Sequence, residues 1–97
     1  MQFIMAVTVY LSGHLKSHTG GETKVRLDSD PVSVDAVLES LWKIHPALRD
    51  RVLNEQGEIR THVNIFTGSD DVKRLKGLQT RVDPGTELHI FNAVSGG

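Results

Sequence analysis

Glu87-Leu88-His89-Ile90-Phe91-Asn92-Ala93-Val94-Ser95-Gly96-Gly97 is the stretch on which both fold and function turn, and it has two unlike halves. From Glu87 to Phe91 the chain alternates, with Leu88 and Ile90 on one face and Phe91 on the other, which predicts a strand with one buried face. Residues 92–97 lose that pattern and finish in two glycines. Glycine has no Cβ, so this backbone can enter a narrow channel and take φ values that other residues resist. The reactive atom left there is the carbonyl carbon of Gly97. A terminal carboxyl titrates near pH 3 to 4 in short peptides, so at pH 7 it is an unreactive anion that must be activated before anything attacks it. Six extended residues reach at most about 20 Å, enough to thread from a folded body into a partner's reaction centre.

Upstream, Phe3, Met5, Val7, Val9 and Leu11 alternate with Gln2, Ile4, Ala6, Thr8 and Tyr10. This predicts a first strand whose second face is only partly polar, hence a central one. Ser12 to Gly21, rich in glycine and serine, predicts a loop with at most a short helical turn. Alternation returns with Val25 and Leu27 inward and Lys24 and Arg26 outward, a second strand able to pair antiparallel with the first. Asp28-Ser29-Asp30-Pro31 ends it.

Ser33 suits a helix N-cap, since its hydroxyl can accept from an unpaired amide of the first turn. Val34, Val37, Leu38, Leu41 and Ile44 then recur at three- and four-residue spacing and predict one apolar helical stripe. His45-Pro46 stops that helix, and Ala47 to Leu53 predicts a short second piece. A third strand is expected from Ile59 to Phe66, with Val63 and Ile65 on one face and His62, Asn64 and Phe66 on the other. After the Gly68-Ser69-Asp70 turn, Val72, Leu75 and Leu78 are expected to cover a core edge, and Asp83-Pro84-Gly85 is a turn.

One helix packed across one sheet is the economical way to bury a single stripe and a single apolar sheet face. If the first and last strands are neighbours, they are parallel and central, and the expected fold is an α+β β-grasp (ubiquitin-like) one: a mixed four- to five-stranded sheet on one main helix. The expected organisation is a domain over 1–91 and a flexible diglycine tail over 92–97.

Composition narrows the functions. A chain of 97 residues, 38% apolar and 24% charged, suits one soluble domain. Eleven basic against twelve acidic side chains, net −1, give no electrostatic reason for general nucleic-acid or membrane binding. The chain contains no cysteine, which excludes disulfides, thiolate metal sites and a cysteine nucleophile. The apolar N-terminal segment is too short to span a bilayer and lacks leader-peptide flanks, so a cytoplasmic protein is expected.

Other constellations have plainer readings. His14 and His18 are four apart but lie among loop residues, so exposed histidines are favoured over a metal pair. Asp28 with Asp30, and Asp70 with Asp71, sit at turns where aspartate bonds backbone amides. Lys73, Arg74, Lys76 and Arg81 form a basic cluster that reads first as a solvated face, with a docking surface for an acidic partner or RNA as the alternative. Trp42 is expected at the core rim. Phe91, out of phase with Leu88 and Ile90, belongs on the sheet face away from the helix, with Phe66 beside it, and two aromatics there suit a protein-binding patch.

Val94-Ser95-Gly96-Gly97, the strand before it and His62-Val63-Asn64-Ile65-Phe66 resemble the ThiS/MoaD family of ubiquitin-like sulfur carriers. The Gly68–Asp71 turn, Leu75-Lys76-Gly77-Leu78 and the Asp83-Pro84-Gly85 turn have family counterparts in the same order. His18-Thr19-Gly20-Gly21 is most similar to the branch that supplies sulfur for cysteine synthesis. One departure is Asn92-Ala93, where family tails often carry proline. The resemblance implies a protein co-substrate rather than an enzyme. An E1-like enzyme would adenylate Gly97 with ATP, a sulfur source would convert it to a thiocarboxylate, and a sulfur-accepting biosynthetic enzyme would receive the sulfur. Gly96 and Gly97 would be the reacting end, with Phe66, Phe91, Val94 and Ser95 binding partners, and no bound metal or cofactor. The small subunit of molybdopterin synthase and a ubiquitin-like modifier joined to lysines through Gly97 remain alternatives.

Overall fold

The structure, a computed structural model, describes residues 6–27 and 33–92. Among the described residues five strands form one sheet: β1 (Val7–Leu11), β2 (Lys24–Leu27), β3 (Val63–Thr67), β4 (Asp70–Asp71) and β5 (Glu87–Asn92). Their order is β2-β1-β5-β3-β4. β1 pairs antiparallel with β2 and parallel with β5, while β5 pairs antiparallel with β3. A parallel neighbour cannot be reached by a tight turn. The crossover therefore carries α1 (Val34–Ile44), the short α2 (Arg49–Val52) and the strands on the far side.

The period-2 and helical patterns meet in one core. Val7, Val9, Val25, Leu27, Val63, Ile65, Leu88 and Ile90 present the inner sheet face, and Val34, Val37, Leu38 and Leu41 cover it from α1. Fully burying such a side chain contributes about 1.5–3 kcal/mol, and this layer is the main source of stability. Ser33 caps α1 as expected: its Oγ accepts from the Ala36 amide at 3.1 Å. Ser33→Ala should destabilise the domain by about 1 kcal/mol. Thermal melts followed by circular dichroism should then show a midpoint lower by roughly 4–8 °C.

Several expectations need correction. Ile44, placed on the buried stripe, is 52% exposed, while Trp42 is buried with the core. Both lie at the margins of the stripe; Ile44 ends α1, and the large indole reaches the core from the other margin. Leu75, expected to cover a core edge, is 50% exposed, and Val72 is the fully buried residue of that segment. The chain from Val72 to Gln79 folds as two 3-10 turns, Val72–Arg74 and Gly77–Gln79, and Leu75 caps the first at its solvent side.

The third strand begins at Val63, not Ile59. Ile59 makes an isolated bridge to Leu53, and the Val63 amide donates to the Arg60 carbonyl, which turns the chain at 61–62 before pairing with β5 begins. His62 therefore lies on a turn. Within the Ser12–Gly21 stretch, Gly13–His18 is a 3-10 helix anchored by Leu15, which is buried. β5 continues one residue beyond the expected strand because Asn92 pairs with Val63. Phe3, Met5 and the Asp28-Ser29-Asp30-Pro31 ending lie outside the described residues.

Candidate functional site

β5 is the middle strand, so the chain leaves the body from the centre of the sheet. At its exit, Leu11 of β1 is opposite Ile90, and the Ser12 amide donates to the Ile90 carbonyl at 3.0 Å. Val63 lies opposite Asn92 on the other side. The last described residue thus has a fixed position, and Val94, Ser95, Gly96 and Gly97 lie beyond the described residues.

The strand register aligns one residue from each strand on the face away from α1. Lys24 is opposite Tyr10, Tyr10 opposite His89, His89 opposite Phe66, and Phe66 opposite Asp71. Side chains touch at both ends of this row. Lys24 Nζ is 5.8 Å from the Tyr10 ring centroid, and Tyr10 stacks on His89 at 4.9 Å with an 11° interplanar angle. Phe66 packs on Phe91 at 5.5 Å, its diagonal neighbour. Exposed cation–aromatic and aromatic pairs of this kind contribute about 0.5–1.5 kcal/mol each. Their second effect is to hold the rings in one orientation before any partner arrives.

Tyr10 also donates its hydroxyl to Glu87 Oε2 at 3.2 Å. That hydrogen bond, with smaller contributions from desolvation and the carboxylate's charge, raises the phenol pKa above its ordinary value of 10.0. The Tyr10 hydroxyl therefore remains a donor. Beyond Phe66 the surface dips into a cavity of about 280 Å³ lined by Phe66, Ser69, Asp70, Asp71, Arg74 and Leu75. An aromatic strip thus runs from Tyr10 to Phe66 and continues to the exposed Leu75, with a cation at the β2 edge and carboxylates at the β4 edge.

Phe66 and Phe91 fall together on the outer face as their phase indicates, each half-buried by its neighbours. Sequence reasoning did not assign Tyr10, His89 and Leu75 to this surface. The β1 alternation carried the signal for Tyr10, and nothing local carried one for Leu75. The basic cluster holds together only in part: Lys76 and Arg81 line one cavity with Leu75, Gln79 and Thr80, while Lys73 turns elsewhere. Arg81 Nε donates to Asp83 at 2.9 Å, whereas Lys73 Nζ donates to the carbonyls of Arg60 and Thr61 at 3.2 Å each. Asp71 behaves as a turn aspartate, accepting from the Lys73 amide at 2.9 Å. Among the described residues no helix is long and apolar enough to cross a membrane.

A β-grasp sheet crossed by one main helix, with a diglycine ending five residues after its middle strand in the sequence, defines the ubiquitin-like class. The chain belongs to the ThiS family, whose sequence profile matches residues 9–97. It is 32% identical over 95 residues to the sulfur carrier protein CysO of Mycobacterium tuberculosis, covering 96% of this chain and 100% of that protein. Its fold is similar to SAMP1 from Haloferax volcanii, with a TM-score of 0.80, 31% identity, and coverage of 95% of this chain and 99% of that one. It is also similar to a chain in the Amycolatopsis orientalis BexX/CysO complex, with a TM-score of 0.83, 30% identity, and coverage of 94% and 99%.

Proposed function

We propose that this chain carries sulfur as a thiocarboxylate at Gly97. The observation that carries the reading is the central position of β5, whose last residue, Asn92, is followed in the sequence by Ala93-Val94-Ser95-Gly96-Gly97. A carrier needs its reactive end extended from a rigid body and clear of side chains, and the middle strand of a sheet supplies that rigidity. In the first step a Gly97 carboxylate oxygen attacks the α-phosphorus of ATP in an E1-like enzyme, and pyrophosphate leaves. The mixed anhydride makes the Gly97 carbonyl carbon an electrophile. The sulfur of a sulfide ion then forms the C–S bond as AMP departs, leaving the thiocarboxylate. The thiocarboxylate sulfur is the nucleophile that a second, sulfur-accepting enzyme uses. The similarity to CysO favours cysteine or a related sulfur metabolite as its destination.

This chain supplies no catalytic group in that sequence. Its contributions are the unhindered diglycine and the outer sheet face, where Phe66, Phe91, Tyr10 and Leu75 offer an apolar docking strip. Val94 and Ser95 would line the partner's channel. Incubation with the activating enzyme, ATP and a sulfide source should add the mass of one sulfur-for-oxygen exchange, located at Gly97 by fragmentation. Recovery of only the unmodified mass with a demonstrably active enzyme would reject the carrier reading.

The similarity to SAMP1, a small archaeal modifier protein, favours a second use of the same activated end. Attack by a lysine amine on the Gly97 carbonyl would join the chain to another protein through an amide. Peptide mapping for diglycine-bearing lysines measures that use separately from sulfur loading.

A further inference from the structure

A collar of basic side chains lies beside Asn92, the last residue of β5, away from the aromatic strip. Arg51, Arg60 and His62 line a cavity of about 200 Å³ together with Asp50 and Asn92. Lys73 joins them from the Val72–Arg74 turn, which packs on β3, because its Nζ is held on the Arg60 and Thr61 carbonyls. The backbone fixes this arrangement. Arg60 N donates to the Val52 carbonyl at 3.0 Å, and Arg60 Nε donates to the Asp50 carbonyl at 2.8 Å, tying the turn before β3 to the end of α2. The Val63–Asn92 pair then sets the same turn against the root of the tail.

The charge of the collar is incompletely neutralised. Asp50, which lines the cavity, pairs with Arg49 at 3.2 Å, and Glu58 lies on the adjoining cavity, so these two carboxylates face the three cations Arg51, Arg60 and Lys73. Glu58 itself accepts from Asn54 at 3.3 Å. Arg51 and His62 make no side-chain hydrogen bond or ion pair among the described residues. Asn92 Oδ1 is buried without a hydrogen-bond partner there, an acceptor awaiting a donor.

We infer that this collar docks an acidic rim around the entrance of the enzyme pocket that receives the tail. The inference rests on the carrier reading and identifies the partner's complementary surface. Residues 93–97 span at most about 17 Å when extended. Any enzyme reacting at Gly97 must therefore bring its entrance close to Asn92, against Arg51, Arg60, His62 and Lys73. Carboxylates on that entrance would neutralise the collar and steer the tail in, an effect that acts on encounter and weakens with salt.

Arg51→Glu tests this, because Arg51 is exposed and bonds nothing that holds the fold. In sulfur loading by the activating enzyme, R51E should lower kcat/KM about 10-fold at low ionic strength with kcat unchanged, while R51K keeps wild-type behaviour. At about 0.5 M NaCl the defect should shrink to less than about 2-fold, since the screening length then falls to a few ångströms. The same charge reversal at Lys43, on the helix side of the sheet, should have no effect. An unchanged R51E, a defect that persists undiminished in salt, or an equal defect in K43E would each overturn the collar. Where wild-type protein fails to load, the carrier reading fails instead, and titrating the chain alone with a hexaglutamate peptide still decides the collar. Amide shifts concentrated at Arg51, Arg60, His62, Lys73 and Asn92 support it, and absent or evenly spread shifts reject it.

Discussion

Deletion of Gly97 should abolish sulfur loading and leave the melting temperature unchanged. The core residues run from Val7 to Ile90, and α1 and the sheet pack without the last residue of the sequence. No stability change is therefore expected. Loading should respond very differently. Removing one residue draws the reactive carboxylate back by about 3.4 Å along an extended tail. A misplacement of only about 1 Å can lower an enzymatic rate 100-fold, so at least that loss is expected, corresponding to about 2.7 kcal/mol of activation free energy. Pyrophosphate release reports adenylation, and intact mass reports the thiocarboxylate. Gly96→Ala should fall between wild type and the deletion, because it adds a Cβ to the threaded backbone without moving the carbonyl. A deletion protein that loads normally would remove Gly97 from the chemistry.

How far the fold could be read in the sequence depended on whether each segment buries a regular face. β1, β2, α1 and β5 do so, and their alternation or helical stripe extends through most of the element. Ser33 added a local signal that needs no tertiary information. Ile59–His62 failed because an apolar residue that makes one bridge resembles one that belongs to a strand, and the Arg60 turn is fixed by its hydrogen bonds to α2. Leu75 and Ile44 failed because a stripe does not say where its cover ends. The functional surface divides the same way. The phase of Phe66 and Phe91 put both on the outer face, but the row from Lys24 to Asp71 depends on register across five strands. The collar was invisible: Arg51, Arg60, His62 and Lys73 come from three separate segments of the chain, and no local pattern links them.

Ile65 and Phe66 are consecutive on β3 and should give opposite phenotypes. Ile65 is fully buried beneath α1. Ile65→Ala removes methyl groups that the surrounding core cannot replace, which costs about 2–5 kcal/mol. For a domain of this size, that lowers the melting midpoint by roughly 10 °C or more. Where the protein is still folded, its KM for the activating enzyme should be unchanged, because the side chain points away from every exposed surface. Phe66→Ala removes a half-buried ring whose principal aromatic neighbour is Phe91. Its stability cost should be close to the value of that pair, about 1 kcal/mol. Docking should suffer more: a central aromatic anchor contributes about 2 kcal/mol or more to an interface, which is roughly a 30-fold rise in KM. Melting curves and loading kinetics on the two variants separate core from interface on a single strand. A Phe66→Ala protein with unchanged KM would show that partners do not use the outer face, and the apolar strip from Tyr10 to Leu75 would then need another occupant.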